Sequence, residues 1–138
     1  MRTFLDTSAF AKRYLAETGS DRVQILIGDT DHLAVSVLCV PEFVSMLSRL
    51  VREGRLAGTG RTALKENAVR DLEDADVCQI TAGVLGSAIE LLEKHPLRAI
   101  DALHVASAIA IGADLFVSAD RRQLAAARAS DLQVADVS

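Results

Sequence analysis

Four acidic residues, Asp6, Glu42, Asp101 and Asp120, are spread along the chain at places where a carboxylate can do more than face water. Asp6 follows the apolar pair Phe4-Leu5, and Asp120 follows Phe116-Val117-Ser118. Each therefore reads as the carboxyl end of a strand, where open parallel sheets form their sites. Aspartate is also among the best helix caps, so either one alone is ambiguous; two at one sheet edge favour a site. Asp101 shares its helix face with His104, Val105 and Ala108, at the three-, four- and seven-residue spacings that bring side chains together. A carboxylate there is partly buried and needs a cation or a proton, with Arg98 one turn back as the available structural partner. Glu42, beside Leu38, Ser45 and Met46, is not on a plainly solvated face, though a first-turn glutamate is also favoured by the helix dipole. Carboxylates gathered in one pocket repel and raise one another's pKa. A divalent cation removes that penalty, and an all-oxygen set suits Mg²⁺ or Mn²⁺. No Cys or His cluster suggests zinc.

Positioning these acids requires an alternation of elements. The pattern predicts strands over Thr3–Asp6, His32–Ser36, Val77–Ile80, Leu115–Ser118 and Leu132–Ala135. Between them it predicts helices over Ser8–Glu17, Ser20–Ile27, Val37–Glu53, Arg61–Leu72, Thr81–Lys94, Arg98–Ile111 and Arg121–Arg128, with Gly58-Thr59-Gly60 as a loop. Leu38, Phe43, Met46, Leu47 and Leu50 are the expected core positions of the third helix. Pro41 requires that helix either to begin near Val40 or to kink before Glu42. The helix from Arg98 is apolar almost all round and is expected to be buried. Strands alternating with helices imply a parallel α/β sheet covered by helices.

The 138 residues, half of them hydrophobic, suit one compact domain over residues 1–138. The formal charge is −4, from 15 basic and 19 acidic residues. That argues against a general basic coat for nucleic acid but leaves room for a local basic rim. Cys39 and Cys78 are far apart and read as small buried hydrophobes in a reducing cytosol. No signal peptide and no apolar run of about 20 residues is visible, so a cytoplasmic protein away from membranes is expected.

The blocks Asp6-Thr7-Ser8, Pro41-Glu42, Leu97 through His104 and Phe116 through Leu124 resemble, in order and spacing, the motifs of PIN-domain ribonucleases. The resemblance is closest to the VapC-type toxins of toxin–antitoxin pairs and covers essentially the whole chain. It implies a three-layer α/β/α fold with a central parallel sheet of four to five strands. It implies an acidic pocket of Asp6, Glu42, Asp101 and Asp120 binding one or two Mg²⁺ or Mn²⁺ ions, hydrolysis of RNA, a homodimer, and silencing by a cognate antitoxin. Ser118, and Thr7 or Ser8, match the small hydroxyl residues that the family keeps beside its acids. Ile100 stands where an aromatic is common and Ser118 where Thr is common, and neither departure touches the acids.

On this reading Asp6 and Asp101 hold the ion most directly, and Glu42 and Asp120 hold its waters or a second ion. The ion activates water and offsets phosphate charge, leaving a 5′ phosphate and a 3′ hydroxyl without a histidine base. His104 is expected to pack or hydrogen-bond on its own helix. Among the basic residues near the motifs, Arg98 and Arg121 are best placed to meet RNA phosphates. The competing readings are a DNA-acting or non-catalytic module of the same fold, and a metal-dependent phosphohydrolase.

Overall fold

The computed structural model describes residues 1–138. Five strands form one parallel sheet: β1 (Arg2–Leu5), β2 (His32–Ser36), β3 (Asp76–Cys78), β4 (Leu115–Ser118) and β5 (Gln133–Asp136). Their order is β3-β2-β1-β4-β5. The chain therefore builds outward from β1 in one direction through β2 and β3, then crosses back to lay β4 and β5 on the other side. Phe4 lies beside Phe116 and Leu5 beside Val117 in the β1–β4 register. The carboxyl ends of β1 and β4 thus flank the point where the strand order turns, which is where such sheets open a crevice.

Alternation along the strands sorts the core into two layers. Leu5, Val35 and Val117 point to one side, with Phe10, Phe43, Leu47 and Ala68 from α1 (Thr7–Ala11), α3 (Cys39–Arg52) and α4 (Gly58–Asp71). Val23 of α2 (Ser20–Asp29) joins the same layer. Phe4, Ala34 and Phe116 point to the other side, packed by Val84 and Leu91 of α5 (Ala82–Lys94), Ala102 and Val105 of α6 (Ala99–Ala110), and Leu124 of α7 (Arg121–Ala129). The architecture is the expected α/β/α sandwich, with all five strands present.

Several boundaries differ from the sequence reading for physical reasons. The first helix stops at Ala11 rather than Glu17. Lys12, Arg13 and Tyr14 donate to carbonyls only three residues back, tightening the chain into turns. That brings Lys12, nearly buried, onto the Thr18 carbonyl and beside Glu17. Helix α3 begins at Cys39, so Pro41 falls in its first turn, where its missing N–H costs nothing, and no kink is needed. Gly58-Thr59-Gly60 is the first turn of α4 rather than a loop. Strand β3 starts and ends earlier than Val77–Ile80, and β5 runs one residue later than Leu132–Ala135. Of the core positions assigned to α3, Phe43 and Leu47 are fully buried, whereas Leu38, Met46 and Leu50 are partly exposed.

The last residues close on the start of α2. Gly19 has φ +89°, and a Cβ there would lie 1.9 Å from the Val137 carbonyl oxygen, so only glycine fits the approach. The Val137 N–H in turn donates to the Ser118 carbonyl at 3.0 Å.

Candidate active site

The four acids come from four separate elements and line one cleft of about 430 Å³. All four lie at helix beginnings. Asp6 caps α1, Asp120 caps α7, Glu42 is in the first turn of α3 and Asp101 in the first turn of α6. The capping and pocket assignments, alternatives in the sequence, coexist here. Helix N-termini carry partial positive charge, which lowers the cost of gathering four carboxylates.

Asp6 is 1% exposed. Its Oδ1 accepts from the Ala9 N–H at 2.9 Å, and its Oδ2 accepts from the Ser118 hydroxyl at 2.7 Å; Ser8 Oγ lies 2.8 Å from Oδ1. Desolvation nevertheless raises its carboxyl above the ordinary aspartate value, the hydrogen bonds and nearby His104 offsetting this only in part. Ser118 Oγ also accepts from the Asp120 N–H at 2.9 Å, so one hydroxyl bridges two acids. Asp120 itself accepts at Oδ1 from the Arg122 N–H at 2.9 Å.

Across the cleft the donors differ. Glu42 Oε1 accepts from the Thr7 hydroxyl and lies 2.7 Å from His104 Nε2. Desolvation acts to raise the Glu42 carboxyl, but the His104 and Thr7 contacts outweigh it and hold it below the ordinary value. His104 is 1% exposed, packs edge-on against Phe4 and leaves its Nδ1 without a partner. It therefore serves a residue of α3, not its own helix as expected. Asp101, 2% exposed, takes Arg98 Nε at Oδ2 (3.1 Å) and Arg98 Nη2 at Oδ1 (3.2 Å). Gln123 Nε2 adds a third side-chain donor at Oδ1 (3.0 Å).

As the side chains stand, no three ligating groups form a ready-made metal cage. The donor set still fits a hard divalent cation, because the carboxylates and the hydroxyls of Thr7, Ser8 and Ser45 that line the cleft offer only oxygen, and Asp6 is a buried carboxylate with no ion-pair partner. Arg98, whose side chain is 74% exposed, reaches Asp101 from the solvent side.

Thr7, Ser8 and Arg98 line the cleft with the acids, while Ser118 stands behind Asp6 and Arg121 does not line it. The sequence reading missed Arg49, Arg52 and Gln123, which do. Gln123 follows its cap Asp120 by three residues, and Arg49 and Arg52 follow Glu42 by seven and ten. Those helical spacings were visible, but not the side of the helix that faces the cleft. Cys39 is buried and Cys78 partly so, both as free thiols. No helix is long and apolar enough to cross a membrane.

An open parallel sheet with a carboxylate-lined cleft at its turning point defines a class of α/β/α protein. A PIN domain model matches residues 3–129, and the chain belongs to that family. It is 35% identical to Ribonuclease VapC45 of Mycobacterium tuberculosis (strain CDC 1551 / Oshkosh), over 96% of this chain and 93% of that protein. Its fold matches the crystal structure of M. tuberculosis VapC20, a Sarcin-Ricin loop cleaving toxin, with TM-score 0.71 and 22% identity over 90% of this chain and 94% of that one. It also matches VapBC2 from Rickettsia felis bound to a DNA fragment from their promoter, with TM-score 0.70 and 14% identity over 100% of both chains.

Proposed function

We propose that this chain is a divalent-metal-dependent endoribonuclease, the toxin of a VapBC-type pair, restrained by a cognate antitoxin. The observation that carries the reading is the convergence of Asp6, Glu42, Asp101 and Asp120 on one cleft at the turning point of the sheet. The likeness to VapC45 supports RNA as substrate, and the VapBC2 complex supports a protein partner.

Asp6 and Asp101 would hold the ion, and Glu42 and Asp120 would hold its waters or a second ion. Bound there, Mg²⁺ or Mn²⁺ supplies Lewis acidity, acidifying water and offsetting charge on the phosphoryl oxygens. The chain's own residues set the geometry. Ser118 and Ser8 orient Asp6, Thr7 and His104 orient Glu42, and Gln123 orients Asp101. Arg98, once released from Asp101, meets a substrate phosphate. A homodimer belongs to the same reading. It is supported by the exposed stripe Leu85, Ile89 and Leu92 on α5, which runs at helical spacing, with Ile25 of α2 and Val69 of α4 as further exposed apolar side chains.

The test is cleavage of total cellular RNA by the purified, antitoxin-free protein, with Mg²⁺ or Mn²⁺ and with EDTA, beside Asp101→Asn. Cleavage that requires the metal, falls more than about 100-fold in the variant and leaves 5′ phosphates is expected. No cleavage by metal-loaded protein overturns the reading, and cyclic phosphate products overturn its mechanism.

A further inference from the structure

We propose that Arg49 and Arg52 form a track for the RNA backbone, gripping phosphates that flank the cleaved bond on the α3 side. This rests on the ribonuclease reading above and assigns the substrate a direction across the cleft.

Helix α3 presents Glu42, Ser45, Met46, Arg49 and Arg52 to the cleft, residues separated by three, one, three and three positions. They form one face of the helix. At the rise of an α-helix, Arg49 lies about 10 Å and Arg52 about 15 Å beyond Glu42 along the axis. A strand whose scissile phosphate sits at the acids therefore meets two guanidinium groups in succession as it leaves along α3.

Both arginines occupy the last turn of α3, where cations are favoured by the helix dipole whatever they face. Two observations go beyond that. They border the cleft from its solvent-exposed rim. Neither pairs with any carboxylate, in a chain where acids outnumber bases and four acids line the same cleft. Arg98, the third arginine of the cleft, is by contrast tied to Asp101. Unpaired guanidinium groups beside an acidic pocket offer forked donors to an anion arriving from outside.

The same lining says which part of RNA is held. Met46 is its one hydrophobic member, and no aromatic ring borders it. Base stacking, the usual grip on single strands, has no platform. The grip falls on phosphates, which position the strand without reading its sequence.

The test uses fluorescein-labelled single-stranded RNA of mixed sequence, one probe of about a dozen nucleotides and one trinucleotide. Binding is followed by anisotropy in EDTA, which prevents cleavage, across a KCl series. Arg49→Gln/Arg52→Gln is compared with the wild type and with Arg70→Gln/Arg128→Gln, which removes equal charge away from the cleft. For the longer probe, the first pair is expected to flatten the slope of log affinity against log salt by about 1.4, at about 0.7 per lost phosphate contact. The trinucleotide should bind the wild type and this variant alike. In metal-dependent cleavage of long RNA, the same variant should raise KM and leave kcat in place. An unchanged slope, or equal flattening by the control pair, overturns the track while the ribonuclease reading stands. A wild type that binds neither probe and cuts no RNA overturns that reading, and the track with it.

Discussion

The two sides of the cleft hold their acids by different chemistry. On the strand-end side, Asp6 and Asp120 are held by hydroxyls and backbone N–H groups. On the helix side, Glu42 faces an imidazole and Asp101 faces a guanidinium. The electrostatic outcomes differ accordingly. Burial raises the Asp6 carboxyl, while the His104 and Thr7 contacts hold Glu42 low. Neutral donors orient a buried carboxylate but do not fully replace its lost water. On the proposed metal-binding reading, the need for a cation is greatest at the end of β1, and the acids of the helix side already have cationic or imidazole partners.

Removing the imidazole is the strongest way to break this comparison. His104→Leu should weaken Mn²⁺ binding by about 10- to 100-fold, the usual cost of losing a group that orients a ligand. His104→Gln, which keeps an N–H donor, should recover much of it. Calorimetric titration with Mn²⁺ decides; equal affinity in the leucine variant and the wild type would mean that Glu42 does not depend on this contact.

A smaller effect separates Asp6 from Glu42 in the metal-free protein. The Asp6 carboxyl is raised, so its contribution to stability is present below the ordinary aspartate value and is lost as pH rises through the raised one. Asn keeps the cap on α1 and removes the buried charge. Asp6→Asn should therefore raise the Tm at neutral pH, by roughly 3 °C if the relief is about 1 kcal/mol. The gain should vanish in acid. Glu42 runs the other way: its contribution is present above the ordinary glutamate value and is lost as pH falls through the lowered one. Glu42→Gln should give no such gain. Thermal melts in EDTA across pH settle both signs, and a lower Tm for Asp6→Asn at neutral pH would reverse the assignment of the two sides.

Arg98→Gln should do least. The pair joins an exposed guanidinium to a buried carboxylate, so it contributes up to about 1 kcal/mol and the Tm should fall by no more than roughly 3 °C. Mn²⁺ affinity should rise about twofold, since the ion no longer displaces a guanidinium from Asp101. A fall in affinity would show instead that Arg98 holds Asp101 ready for the ion.

The strand-end side was the legible one. Apolar runs ending in Asp6 and Asp120 announce strand ends, and strand–helix alternation places those ends along one edge. The order of the strands, which brings β4 beside β1, is a tertiary result that alternation does not contain. The helix side was legible only in part. The burial of Asp101 and its pairing with Arg98 followed from helical spacing. The reach of His104 across to Glu42 required the packing of α6 against the sheet and the seat of α3 above it. The polar residues after Ala11 suit a helix, whereas the fold ends the helix there and turns Lys12 inward to the Thr18 carbonyl.

The closure of the chain's end on Gly19 has a mechanical consequence. The Val137 carbonyl rests against Gly19, and the Val137 N–H holds the carbonyl of Ser118, the serine whose hydroxyl bridges Asp6 and Asp120. A side chain at Gly19 would have to push Val137 away, and so would disturb the backbone of the serine that joins the two acids.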